Sequence, residues 1–305
     1  QAQTIVRETL VGAPIVSNAA TTFQTQTGGG LEIQRNSGDG PEAAFFQITG
    51  ITNGRLFHHD GRSEILNANF ITASEGAAGL RFTPTANPRA DASFNVQASL
   101  SDEAAGVGGA IATATITVGR AEQTISFPAL SQKVFGAAPF PLPATASSGL
   151  AIVYEVSGPA AVSGNTLTLA GAGGVVVRAR QGGDDNYLAA PEAVQSFQIL
   201  KAVQTISFSA LASRSYGTAP FELVASASSG LPIRFRIGFG PAFLAEPNRV
   251  TLTGAGTIGV IAAQDGNENF QAAAEAPQFF EVTKASLTVR AADSNRVFGF
   301  PNPAF

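Results

Sequence analysis

The 305-residue chain has no cysteine, no methionine, no tryptophan and only two histidines, and charged residues make up 13% of it. Without cysteine there are no disulfides, no thiolate nucleophiles and no zinc–thiolate sites. Losing methionine as well removes the side chains most easily oxidised, which suits life outside the cell. The formal net charge is −4, and no basic patch of the kind phosphate binding needs is present, so nucleic acid is excluded as a partner. No apolar run approaches the roughly 20 residues of a membrane helix, so no membrane insertion is expected.

With charge so sparse, the polar surface must come from Thr, Ser, Gln and Asn, which suit the outer faces of strands better than helices. The 22 Phe, 33 Gly and 17 Pro point the same way, to aromatic strand cores and abundant turns.

An internal repeat dominates the middle of the chain. Gln123-Thr124-Ile125-Ser126-Phe127 recurs as Gln204-Thr205-Ile206-Ser207-Phe208, an offset of 81. Phe135-Gly136 recurs as Tyr216-Gly217, and Ser147-Ser148-Gly149-Leu150 as Ser228-Ser229-Gly230-Leu231. Gly158-Pro159-Ala160 answers to Gly240-Pro241-Ala242 at offset 82, and Asn186-Tyr187 to Asn269-Phe270 at offset 83. Two single-residue insertions explain the drift, and loops are where they are expected. Arg120-Ala121, Lys201-Ala202 and Lys284-Ala285 mark the junctions, each expected to precede a fresh strand. The boundaries read 1–119, 120–200, 201–283 and a truncated third repeat over 284–305, opening with Leu287-Thr288-Val289-Arg290. A copy cut so early cannot bury a core, so the natural chain is expected to continue.

Within a repeat, short alternating segments recur. In 175–180, Val175, Val177 and Ala179 share one face, while Val176, Arg178 and Arg180 share the other. About seven such strands in about 80 residues make a two-sheet sandwich. Residues 1–119 follow another layout but are again all-β, with Asn53-Gly54 and Asp60-Gly61 as turn signals. No segment carries a helical period. The fold class is therefore all-β: tandem antiparallel β-sandwich modules.

Five groups of residues have the look of chemistry. His58 and His59 adjoin on an expected strand, so they point to opposite faces and cannot share a metal; they read as an exposed hairpin tip. Residues 254–259 match GxGxxG, but a strand follows rather than a helix, and the copy at 171–176 lacks the last glycine. Asp265, Asn267 and Asn269 have D-x-N-x-N spacing, yet the twelfth position is Ala276 and the other copy offers Gly182, Asp184 and Asn186. These three are the calcium candidates, an Asx turn is their alternative, and a site near Asp39 also stays open. Arg178 with Arg180, and Arg234 with Arg236, pair guanidinium groups on one face, suited to sugars or carboxylates but equally to a solvated strand. Asp184-Asp185 are adjacent and loop-borne, without the partner acid of a glycosidase. No catalytic residue, no cofactor-binding residue and no confident metal ligand emerges, and calcium is the one cofactor left open.

The QTI-x-F opening, SSGL, GAG and N-[YF]-x-AA elements of 123–283 resemble the bacterial Ig-like repeats of giant secreted surface proteins. The segment from Lys284 resembles the related MBG type. Residues 30–118, with Ile48-Thr49-Gly50-Ile51-Thr52-Asn53-Gly54 and Phe82-Thr83-Pro84, resemble cadherin-like repeats of the same proteins. The resemblance implies a non-enzymatic stalk of a cell-surface or gliding-motility adhesin of a Gram-negative bacterium. Its partners would be other modules of the same chain, secretion or motility machinery, or surface glycans. Two alternatives stand beside it: an N-terminal binding or docking module, and a spacer of a secreted carbohydrate-active enzyme.

Overall fold

The computed structural model describes Leu10, residues 12–85 and 90–290, and Phe298. Most of the expected third repeat beyond Arg290 lies outside the described residues. The described chain is all-β but for one turn of α-helix, Ala73–Ala78, and one 3-10 turn, Ala104–Gly106.

In the N-terminal segment, a five-stranded sheet runs in the order Ala19–Thr22, Val107–Gly119, Ala92–Ser99, Phe45–Thr52, Phe70–Thr72. A three-stranded sheet orders Glu64–Ile65, Gly54–Phe57 and Arg81–Pro84. Strand alternation puts Phe94 and Val96 of the first sheet and Leu56 and Phe82 of the second into one buried cluster. The helix was not expected from sequence, because six residues are too few to show a period. A capping box starts it: Thr72 Oγ1 accepts from the Glu75 N–H at 3.2 Å, and Glu75 Oε2 accepts from the Thr72 N–H at 2.7 Å.

The two repeats share one topology. Each has a four-stranded sheet: Lys133–Val134, Ala193–Leu200, Gly173–Arg180, Val153–Ser157 in the first, and Arg214–Ser215, Ala276–Thr283, Gly256–Ala263, Arg234–Phe239 in the second. A three-stranded sheet and a two-stranded pair complete each one. Val175, Val177 and Phe197 fill one core, and Ile258, Val260 and Phe280 the other. In every segment one edge pairing of the larger sheet is parallel: 19–22 with 116–119, 133–134 with 199–200, and 214–215 with 282–283.

The insertions are not both in loops. The first is Gly238, a bulge inside the strand Arg234–Phe239, where the register slips between Ile237 and Phe239. The second lengthens the turn 164–165 to 246–248. The expected strand at Leu287-Thr288-Val289-Arg290 does not form among the described residues; Leu287 is 87% and Val289 84% exposed, with no neighbouring strand to pair with.

Candidate functional site

The repeated motifs converge on one hydrogen-bonded clasp. Gln123, 3% exposed, donates from Nε2 to Gln181 Oε1 and to the Leu188 carbonyl, both at 2.7 Å, and its Oε1 accepts from Ser148 Oγ. Gln204 does the same with Gln264 Oε1 at 2.9 Å, the Gln271 carbonyl at 2.7 Å and Ser229 Oγ. A buried primary amide is tolerable only when its donors and acceptor are met, which is why the Gln of QTI and the second Ser of SSGL recur together. Gln181 and Gln264 in turn accept from the Gly183 and Gly266 N–H groups. Those glycines have φ of +76° and +78°, and a Cβ there would run into the carbonyl of Tyr187 or Phe270. The clasp thus holds a tight loop with an aromatic ring at its tip.

That ring joins one segment to the one before. Tyr187 meets Phe23 edge-to-face, centroids 5.6 Å apart at 86°. Phe270 meets Phe135 at 5.5 Å and 88°. The junction alanine pairs with the same loop. The Ala121 N–H donates to the Asn186 carbonyl at 2.8 Å and its carbonyl accepts from Leu188; Ala202 does the same with Asn269 and Gln271. The basic residue beside it reaches the loop's backbone, Arg120 to the Asp184 carbonyl and Lys201 Nζ to the Asn267 carbonyl at 2.8 Å. Each joint therefore carries backbone pairing, a cation on the loop and a ring pair worth about 0.5–1.5 kcal/mol beyond its burial.

The receiving ring has one fixed position. Phe23 follows the parallel strand Ala19–Thr22 and donates its N–H to the Gly119 carbonyl at 2.9 Å. Phe135 follows Lys133–Val134 and donates to Leu200, also at 2.9 Å. Tyr216 follows Arg214–Ser215 and donates to Thr283 at 2.8 Å. Sequence comparison missed Phe23, because residues 1–119 do not share the repeat's motifs.

The calcium candidates turn to separate partners. Asp265 pairs with Arg234. Asn267 Oδ1 accepts the Asn269 and Phe270 N–H groups, the Asx turn weighed as the alternative. Asn269 Oδ1 accepts the Ala172 N–H of the preceding repeat at 2.9 Å. Calcium takes six to eight oxygens, and a set with a single, already paired carboxylate does not suit it. Among the described residues no cluster of three or more His, Asp or Glu could hold a metal.

His58 and His59 are not on a strand: the strand Gly54–Phe57 ends before them and they enter the turn. His58 Nδ1 lies 3.4 Å from Glu75 Oε1. The neighbouring Ser63 hydroxyl donates to Asp60 at 2.6 Å, so its proton is directed at a carboxylate and away from an imidazole base. That hydroxyl, with the Arg62 and Ser63 N–H groups, holds the Asp60 carboxyl down at about 2. Residues 253–255 form the turn between the strands Arg249–Leu252 and Gly256–Ala263, and 256–259 already lie in the second strand, so no helix follows the glycines to bind phosphate.

The arginine pairs are each met by acids. Arg178 and Arg180 both contact Glu192, and Arg180 also contacts Glu155 at 3.2 Å. Arg180 and Arg178 together hold the Glu192 carboxyl below its usual range. In the second repeat Arg236 meets Glu275, the counterpart of Glu192, at 2.8 Å. The arginines have moved from the central strand to the edge strand while the acid has stayed.

One surface belongs to the second repeat alone. Phe239, Gly259 and Phe279 lie in register across three strands, and the two rings stack at 5.9 Å and 28°. Phe239 and Phe279 are 52% and 58% exposed. The first repeat has Ser157, Val176 and Ser196 in those places.

The backbone resembles solved cadherin and immunoglobulin-like structures. Mouse cadherin-23 EC22-24 is 13% identical, covers 90% of this chain and 100% of its own, and gives a TM-score of 0.33. Human CDH23 EC21-23 is 12% identical over 88% and 99%, TM-score 0.34. Dpr2 Ig1-Ig2, solved in complex with DIP-Theta Ig1-Ig3, is 11% identical over 90% and 100%, TM-score 0.30. These likenesses concern the β-sandwich fold alone. No family model matches the chain, and no curated protein does.

Proposed function

We propose that the chain is a non-enzymatic stalk segment of a large bacterial cell-surface adhesin, parsed as 1–119, 120–200, 201–283 and the opening of a further repeat over 284–305. The observation that carries this reading is the twice-built joint, Phe23–Tyr187 and Phe135–Phe270, with its paired backbone. A strand of about seven residues spans only about 25 Å, so reach must come from linking modules, and a joint fixed by several independent contacts resists bending. Sparse charge leaves such a stalk insensitive to salt. Antibodies against the chain should label intact, unpermeabilised cells that produce it; labelling only after permeabilisation would contradict the reading.

A second reading, a partner-binding module, draws on the exposed Phe239 and Phe279 rings, which the first repeat lacks. Singly scattered apolar residues are ordinary on surfaces, whereas aromatic rings are enriched where proteins meet a partner. Under this reading, substituting Phe279 abolishes adhesion while the chain stays folded and elongated.

A further inference from the structure

We infer that the end of the second repeat marked by Tyr216 is a copy of the joint left unfilled among the described residues, a docking socket for the aromatic-tipped loop of a further module of the same kind. The inference rests on the stalk reading and names the surface through which the next module attaches.

Four observations carry it. Tyr216 occupies the position of Phe23 and Phe135: its N–H donates to the Thr283 carbonyl, the last residue of the terminal strand, and it follows the parallel strand Arg214–Ser215. Phe23 and Phe135 each receive a ring and are half-buried, whereas Tyr216 is 45% exposed. Lys284-Ala285 stands where Arg120-Ala121 and Lys201-Ala202 stand; Ala121 and Ala202 bridge to Tyr187 and Phe270, while Ala285 is exposed. Ala255, in the turn 253–255, is the counterpart of Ala172, whose N–H donates to Asn269 Oδ1 at the joint between the two repeats. The socket thus presents a ring, a junction alanine with its lysine, and a turn N–H. Together they fit an Asn-aromatic loop tip such as 267–270, rather than a peptide strand or a charged ligand.

The test inserts a second copy of residues 202–284 after Lys284 in the full chain, which brings the copied Phe270 to Tyr216. Thermal unfolding is followed with Tyr216→Ala in the original repeat, with Phe270→Ala in the copy, and with both. Either single change should lower the midpoint of the extended chain by about 4 °C, and the double change should add little more. Tyr216→Ala should leave the unextended chain unmoved, and Tyr216→Phe should behave as the parent in both. Additive losses in the cycle, or an equal loss in the unextended chain, would overturn the socket. Phe135→Ala read in parallel separates the two claims: if it couples to Phe270 while Tyr216 does not couple to the copy, the socket fails and the stalk stands.

Discussion

The Phe239 ring lies across Gly259 on the outer face of the second repeat, so that a Cβ at Gly259 would sit 2.5 Å from Phe239 Cε1. In the first repeat the same pair is Ser157 and Val176, a small residue beside a branched one. The two positions exchange bulk across the strands. Gly259→Val alone should therefore cost about 1–3 kcal/mol through overpacking, and Phe239→Ser in the same chain should return most of it. A double-mutant cycle by denaturant unfolding measures this, and equal costs with and without Phe239 would refute it.

Gln204→Leu should destabilise the second repeat by about 1–3 kcal/mol, because Ser229 Oγ, Gln264 Oε1 and the Gln271 carbonyl each lose one hydrogen-bond partner in a part-buried place. The loss should appear as a shifted urea midpoint with an unchanged slope. A neutral result would mean that water or rearrangement replaces the clasp.

Acid should reveal the carboxylates. Asp60 is depressed to about 2 by the Ser63 hydroxyl and two backbone N–H groups. A folded-state value below the unfolded one, near 4, gives stability that is present above pH 4 and is lost as pH falls toward 2. Asp60→Asn should lower the melting temperature at neutral pH and flatten part of its decline between about pH 4 and 2. An identical acid slope in the variant would contradict the assignment.

Calcium should do nothing at Asp265, Asn267 and Asn269. Millimolar calcium against chelator should leave the melting temperature unchanged, since Arg234, two loop N–H groups and the Ala172 N–H already hold the three side chains. A rise with calcium that is lost in Asp265→Ala would show that they regroup around the ion.

Much of this was legible in the sequence, and the rest was hidden for identifiable reasons. The all-β sandwich class followed from alternation in segments such as 175–180, where Val175 and Val177 are indeed buried. The repeat exposed Gln123 and Gln204 as important but not why, because their partners lie 25 to 67 residues away along the chain. Phe23 could not be matched to Phe135 by motif; only the parallel pairing and the bond to Gly119 place it. Gly238 read as a loop insertion because a bulge leaves the flanking alternation intact. The helix Ala73–Ala78 was foreshadowed solely by Thr72 and Glu75, three apart. Asn269 had the spacing of a calcium ligand, yet its partner is the backbone of the repeat before, which spacing within one copy does not disclose.

If Phe23–Tyr187 and Phe135–Phe270 hold the segments in an extended line, the overall dimensions of the chain must show it. Small-angle scattering of the full chain measures this directly. The radius of gyration should lie well above the about 19 Å of a compact chain of this length, with a rod-like distance distribution, and a broader one for Phe135→Ala. A globular envelope near that compact value, or a Phe135→Ala profile identical to the parent's, would contradict it.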